Sequence, residues 1–329
     1  MGDSIDDISI IVLGSLNTDI FGVGVERMLK PGELSFGGEA RIGAGGKSRN
    51  IAQMTATLLG KGTVAMIGRT SKDPYELWKI PIIALENSGV NTKYIKRFHY
   101  DECGKMPGIA LIPVDKKGEN QIYVLPGINE DFCPEDVEDA KPLFEKAKKN
   151  KGLVALTLEM PMQTARYAIQ TAHEYELPVF LDAGGIREGG EYDAILREAP
   201  HIHLIKMNQH EASILAKVPT IKDYHKTTIA TRNLRDRGAE NILITMGEKG
   251  AYLFTSKATS GLLIRPPNIQ EKVQNTAGCG DQTMAGILYA HMTGKTIEES
   301  TNIGITAGTI QAYKTGITPV TKEEIEKFM

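Results

Sequence analysis

Cysteine is scarce. Three residues, Cys103, Cys133 and Cys279, occur in 329, an odd number with no metal-ligand spacing, which excludes a disulfide framework and suits a reducing compartment such as the cytoplasm. An excess of one charge is lacking too. Thirty-eight Lys and Arg stand against 41 Asp and Glu, for a formal net charge of −3, and no run of about five like charges marks a basic arm or acidic tail. That removes the electrostatic footprint a nucleic-acid partner requires. Nowhere do about 18 apolar residues follow one another, so no membrane span is expected. The N-terminus "MGDSIDDISI" has no basic segment before an apolar one, so no signal peptide is expected. No fixed-period repeat or low-complexity tract is visible.

Glycine is in excess instead. Thirty-four in 329 is about one in ten, where about 7% is usual, so many must serve turns or close backbone approach. Hydrophobic residues make up 41%, enough for a compact enzyme-sized core. Continuous apolar runs of strand length occur at 8–14, 63–68, 153–158, 178–182, 201–207 and 241–247, as expected of strands buried on both faces. Between them lie amphipathic helix-length segments: "SRNIAQMTATLL" closed by Gly60, "DPYELWKIPIIALENSG" and "MQTARYAIQTAHEY". In the second, Asp73 reads as N-cap and Pro74 as the first helical residue, and Pro81 is expected to kink or split the helix. Strand and helix in alternation predict an α/β fold, a doubly wound, mostly parallel sheet flanked by helices. Residues 15–46 and 97–127 break the rhythm with short alternating runs and turn punctuation. They predict a small antiparallel β lid on a single domain covering 1–329, serving ligand closure or dimer contact.

"IGAGGKSRN", residues 42–50, contains the letters GKS. A phosphate-binding P-loop needs a further glycine five residues before Gly46, directly after a buried strand. That position is Arg41, and "FGGEARIGA" is no buried strand. A glycine pair, Gly45 and Gly46, enters a helix displaying Lys47 and Asn50. This is either an ordinary turn or a polyol site, where glycines allow close approach and ammonium and carboxamide meet hydroxyls. "NTAGCGDQTMAGILYAHM", 275–292, is a glycine turn followed by helical apolar spacing. Backbone N–H groups of Gly278, Cys279 and Gly280 then lie at a helix N-terminus, an anion site. Asp281 is either a favourable helix-start residue or a general base beside the anion, as phosphoryl transfer requires.

"GSLNTD" and "PGE", then "AGGKSRNIA", then "GIALIPVDKKGENQIYVLPGIN", "LEMP", "MNQHE" and "ITMGEKGA", and last "NTAGCGDQTMAGIL", resemble in this order the motifs of the ribokinase family, the PfkB-type carbohydrate and nucleoside kinases. The resemblance covers nearly the whole chain and is closest in pattern to ribokinase. It implies a ribokinase-like fold and an ATP-dependent kinase that transfers the γ-phosphate to a primary hydroxyl of a sugar, ribose or a similar pentose. Asp281 matches the base, and Gly278, Cys279 and Gly280 the anion hole. Asn17, Asp19, Gly45, Gly46, Lys47, Asn50 and Glu159 match sugar-contacting positions. Asn208, Thr245, Gly247, Gly250, Gly280 and Ile305 match the ATP side. Asn208 and Glu211 match the element that orders Mg²⁺ through water, and Asn275, Ala277 and Gly316 the surroundings of a monovalent cation, K⁺. Relatives often pair through the lid, so a homodimer is expected.

Departures from the pattern are informative. Asn275 replaces the usual aspartate, which puts potassium dependence in doubt. Cys279 at a helix N-terminus is expected to have a lowered pKa and to be open to oxidation. Ser48 and Arg49 stand where many sugar kinases have Gly-Ala, with Arg49 read either as a solvated charge or as reaching an acidic or larger substrate. Three function classes follow: a sugar kinase, a nucleoside or sugar-phosphate kinase of the same family, and a binding relative without chemistry.

Overall fold

The computed structural model describes residues 6–258 and 260–329; the first five residues of the expected leaderless N-terminus lie outside them. In chain order the strands are β1 Ile10–Leu13, β2 Asn17–Val25, β3 Glu39–Gly45, β4 Val64–Lys72, β5 Ile95–His99, β6 Gly108–Asp115 and β7 Tyr123–Leu125. Then come β8 Leu153–Thr157, β9 Val179–Asp182, β10 Leu204–Asn208, β11 Ile242–Thr245, β12 Ala251–Phe254 and β13 Leu262–Ile264. Nine of them form the main sheet in the order β13-β12-β11-β10-β9-β8-β1-β4-β5. From β11 to β5 every pairing is parallel; β11–β12 and β12–β13 are antiparallel pairs, so β12 alone runs against the other strands.

The apolar runs are continuous because successive side chains of one strand enter different cores. Ile11, Leu13, Val154, Leu156, Leu181 and Ile205 join the core under the helix Met162–Glu174. Their neighbours Ile10, Val12, Leu153, Ala155, Phe180 and Leu204 join the opposite core, with Ile51, Met284 and Ile287 of the helices Lys47–Leu59 and Cys279–Met292. Truncating any one of the Leu, Ile or Met side chains among these to Ala costs about 2–5 kcal/mol.

The second helix differs from expectation. Asp73 accepts hydrogen bonds from the Tyr75 and Trp78 backbone N–H groups at 2.9 and 3.0 Å, so it pins a turn, and the helix proper is Lys79–Asn87. Pro81 therefore falls in the first helical turn, where no N–H bond is lost, and the expected kink has no cause.

The other four strands form the lid, in the order β3-β2-β6-β7. The pairs β2–β3 and β6–β7 are antiparallel hairpin neighbours, and the central pair β2–β6 is parallel. Residues 97–99, at the start of the expected lid segment, belong instead to edge strand β5, which pairs with β4.

The strand order reverses at β1. The chain steps from β1 outward to β4 and β5, then returns to the other side of β1 as β8. Ligands of open α/β sheets bind at the carboxyl ends of the strands beside such a switch point. There β1 delivers Ser15, β8 delivers Glu159, β9 ends in Asp182 and β10 in Asn208.

Candidate active site

The acceptor side is built where the helix Lys47–Leu59 begins. Gly46 has φ 90°, and a Cβ there would lie 2.7 Å from the Ser15 carbonyl oxygen, so only glycine lets the chain pass from β3 into the helix. The helix has no cap from its own N-cap residue. Glu159, 112 residues away, supplies one: its Oε2 accepts from the Lys47 N–H at 2.9 Å and from Ser15 Oγ at 2.5 Å. Asp19 projects from β2 over Gly45, its register neighbour but two on β3, and a Cβ at Gly45 would collide with the carboxylate. Asp19 is 7% exposed and receives no hydrogen bond from the described residues. Burial pushes its pKa to about 6, with Arg49 opposing and Glu159 and Asp281 reinforcing the rise. Beside it, Asn17 Oδ1 accepts from Asn129 Nδ2 at 2.9 Å. Asn129, the last residue of the motif "GIALIPVDKKGENQIYVLPGIN" and given no role there, lies in the turn Gly127–Asp131 after β7 and holds Asn17 in place.

Asp281 closes the acceptor side. It is 4% exposed, its Oδ2 accepts from Asn50 Nδ2 at 2.7 Å, and its Oδ1 lies 3.8 Å from Lys47 Nζ. Lys47 is held firmly charged, chiefly by Asp281, against the cost of burial.

The expected phosphate side begins three residues earlier. Gly278 takes the left-handed conformation, φ 75°, and starts the helix Cys279–Met292 without any side-chain cap. Elsewhere Asn208, Asp223, Thr296 and Thr321 each cap their helix with a side-chain oxygen. Here the first-turn N–H groups of Gly280 and Asp281 meet no acceptor among the described residues, while that of Cys279 leans 3.4 Å back to the Thr276 carbonyl. The open N–H of Asp281 thus lies next to those expected to face an anion. Lys206 adds a cation: a Cβ on Gly280 would sit 3.1 Å from its Nζ. Its ammonium is buried and bonded to Asp182 Oδ2 at 2.5 Å, and Asp182 Oδ1 accepts from the Gly184 N–H at 2.8 Å. Burial alone would raise the Asp182 pKa, yet Lys206 and Lys47 bring it below the ordinary value. Neither residue was singled out from sequence. The available signal was a charged residue inside each of the apolar runs "PVFLD" and "HIHLIKM".

Comparison with known proteins places this arrangement. The model of the pfkB family carbohydrate kinases matches residues 7–323. The chain belongs to this family. Deoxyribokinase of Salmonella typhi is 30% identical over 273 residues, covering 83% of this chain and 82% of that protein. Ribokinase of Arabidopsis thaliana is 26% identical over 312 residues, covering 94% of this chain and 77% of that one. The solved structure of the Arabidopsis enzyme, complexed with ribose and ATP, superposes with a TM-score of 0.82 at 25% identity over 98% of each chain. The chain is an ATP-dependent sugar kinase with a ribokinase-type fold.

In this PfkB kinase the expected nucleotide residues line the next strand ends. Asn208 and Glu211 form a capping box: Asn208 Oδ1 accepts from the Glu211 N–H at 2.9 Å and Glu211 Oε2 from the Asn208 N–H at 2.8 Å. Thr245 ends β11, Gly247 opens the turn at φ 61°, and Gly250 closes it at φ 88°, where a Cβ would strike the Ile264 carbonyl. Ile305 is buried in the core beside Leu253 and Ile264.

The family implies Mg²⁺. Among the described residues no three His, Cys, Asp or Glu side chains converge into a metal cage. Glu211 keeps one oxygen beyond its cap bond, and burial together with Asp182 raises its pKa while Lys206 opposes the rise. One free carboxylate oxygen next to cations fits an ion that keeps most of its water and takes phosphate oxygens as its chief ligands.

Potassium does not fit in the same way. The Asn275 amide nitrogen donates at 3.3 Å to the carbonyls of Lys314 and Gly316, Gln311 Nε2 donates to the same Gly316 oxygen at 2.8 Å, and the Asn275 Oδ1 accepts from the Ala277 N–H at 2.5 Å. The oxygens a cation would need from Asn275 and Gly316 are already bonded to N–H groups.

Two side-chain readings are overturned. Cys279 is no lowered-pKa thiol, because burial and the adjacent Asp281 push it up to about 11. Arg49 is no solvated charge: it is 2% exposed, turned under the acceptor site.

Proposed function

We propose that this kinase phosphorylates a primary hydroxyl of a pentose, ribose or a close analogue, with Asp281 as general base. The observation that carries the reading is the double placement of Asp281. Its carboxylate is held by Asn50 and Lys47, while its own backbone N–H and that of Gly280 open toward the anion site. A hydroxyl placed against that carboxylate is also placed against the phosphoryl group. Asp281 takes the hydroxyl proton as the sugar oxygen bonds to the γ-phosphorus, and the bond from phosphorus to the bridging oxygen of ATP breaks, releasing ADP. The open N–H groups and Lys206 meet the charge carried by the moving group. Bound Mg²⁺, held through water by Asn208 and Glu211, would neutralise charge on the phosphate oxygens. The unpartnered, buried Asp19 accepts from vicinal hydroxyls, with Asn17, Lys47 and the spare oxygen of Glu159 completing the sugar contacts.

An acceptor already bearing phosphate would need cations at the mouth of the pocket. Arg41 is paired with Glu39 at 2.7 Å on the lid, and Arg49 is buried, so both basic candidates for the sugar-phosphate alternative are spoken for. The names of the relatives, deoxyribokinase and ribokinase, support a pentose. Dimerisation through the lid is part of the same reading, supported by the exposed Leu111 on β6, Tyr123, Val124 and Leu125 on β7, and Ile122 just before β7. So is a cytoplasmic site of action, supported by three free cysteines and by the fact that no described helix is long and apolar enough to cross a membrane.

Replacing Asp281 by Asn tests the base. Turnover should fall by about 10²–10⁴ with the KM for ATP nearly unchanged, measured by ADP release over a panel of pentoses, hexoses, nucleosides and sugar phosphates. Unaltered turnover would remove Asp281 from the mechanism, and preference for a phosphorylated acceptor would replace the pentose reading.

A further inference from the structure

Arg49 presents a physical problem. Taking a guanidinium out of water costs several kcal/mol unless its donors are met, and this one is almost fully buried. Its donors are met in a particular way. Nε donates to the Gly45 carbonyl at 3.2 Å and Nη2 to the Ala44 carbonyl at 2.6 Å, both at the end of lid strand β3. Nη1 donates to Gln53 Oε1, one helical turn on, and Nη2 also donates to Asn50 Oδ1. Arginine has donors only. Whichever face of the Asn50 amide meets it must therefore be the oxygen, and that leaves the amide nitrogen facing Asp281 Oδ2, where it donates at 2.7 Å. Asp281 accepts only, so both neighbours demand the same amide orientation; without Arg49 the amide keeps one of its two anchors, and its plane, with the carboxylate bonded to it, is free to swing.

We propose that Arg49 is a positioning residue for the phosphoryl-transfer base: it fixes the orientation of the Asn50 amide, which holds the Asp281 carboxylate, and ties the end of lid strand β3 to the same helical turn. The proposal rests on the reading of Asp281 as base. It gives the lid strand and the base a shared anchor, since the carbonyls of Ala44 and Gly45 and the amide of Asn50 converge on one guanidinium. The charges of Asp19 and Asp281 both act on that guanidinium, so the same group is coupled electrostatically to the proposed sugar-binding carboxylate and to the proposed base.

A double-mutant cycle tests it. Arg49→Met, Asn50→Ala and the pair are compared for kcat, for KM of ribose and ATP, and for melting temperature, with Arg49→Lys as a variant that keeps charge but not the fork. Arg49→Met is expected to lower kcat by about 10- to 100-fold, as small misplacements of a reacting group do, with the KM for ATP within about two-fold. In the double variant kcat should fall no further than in Asn50→Ala alone, to within about a factor of two, because the two residues act in series. Arg49→Lys, which keeps a donor for the Asn50 oxygen, should recover part of the loss. Multiplying losses in the double variant, or Arg49→Met turning over at the wild-type rate, would overturn the proposal. Should Arg49→Met not fold, Arg49→Lys carries the same cycle with Asn50→Ala. Asp281→Asn run in parallel keeps the two readings apart: normal turnover there sinks the base itself, whereas a dead Asp281→Asn with a multiplicative cycle sinks only the role of Arg49.

Discussion

Two helices of the active site both start after a glycine in a left-handed or otherwise positive φ, and both lack a cap from that glycine, yet their N-termini are put to different ends. At Lys47 the first N–H is closed by Glu159, a carboxylate brought from another strand. At Cys279 the first turn stays open, and a lysine stands beside it. A helix N-terminus attracts anions through its unpaired N–H groups and its dipole, so the one already holding a carboxylate is closed to phosphate and the open one is ready for it. The GKS letters thus belong to the helix that cannot take the job they suggest.

The largest effect should come from making the open terminus like the closed one. Gly280→Asp places a carboxylate against Lys206 Nζ and the first-turn N–H groups. Turnover is expected to drop by about 10²–10³, the usual cost of losing such donors, with the sugar KM affected less than the ATP KM. Near-normal kinetics would mean that phosphate is held elsewhere.

Next in size is a pH effect on the acceptor side alone. The folded-state pKa of Asp19 is raised to about 6 from 3.8, so between those values folding favours its protonated form, and any stability linked to it is lost as pH rises through about 6. Sugar binding has the opposite sign, because hydroxyls donate to the ionised carboxylate. kcat/KM for sugar should fall about ten-fold per unit below pH 6, with the KM for ATP flat, and Asp19→Asn should abolish that limb. An ATP KM that follows the same curve would contradict the separation of the two sides.

Opening the closed terminus should cost less. Glu159→Gln weakens the cap on Lys47 by about 1 kcal/mol, about 1–2 °C in Tm for a chain of this size, and raises the sugar KM without improving ATP binding. Tighter ATP binding in that variant would show the first helix competing for phosphate after all.

Much of this was legible in the chain. Buried parallel strands announce themselves as unbroken apolar runs, because Ile10 and Ile11 enter opposite cores. Asn208 and Glu211 of "MNQHE", matched above only to the ATP side and a metal-ordering element, form a capping box, whose three-residue spacing lies in the sequence itself. What could not be read was set by distant partners. Nothing near Glu159 says that it caps a helix 112 residues earlier. Arg49, next to a solvent-tolerant glycine turn, reads as a surface charge until the β3 carbonyls and the Asn50 amide are seen around it. Cys279 follows the helix-terminus rule for a lowered thiol pKa, and the rule loses because Asp281 and burial act in the other direction. Lys206 was hidden by the strength of the strand signal around it.

The smallest expected effect concerns the loop that precedes the open terminus. An aspartate at position 275 would put an oxygen where the amide nitrogen now faces the carbonyls of Lys314 and Gly316, and like partial charges facing one another need a cation between them. Asn275 resolves that conflict with its own amide, donating to both carbonyls while its oxygen takes the Ala277 N–H. The loop that presents Gly278 is then held by hydrogen bonds that do not depend on the ionic medium. Turnover in sodium or ammonium-free Tris buffer is expected to match that in potassium to within about two-fold, and Asn275→Asp should acquire a potassium requirement by restoring an unpaired acceptor pair. A strong potassium activation of the unaltered enzyme would mean that the Asn275 amide turns away from these carbonyls when the site is loaded, and the open helix terminus would then owe its geometry to the ion.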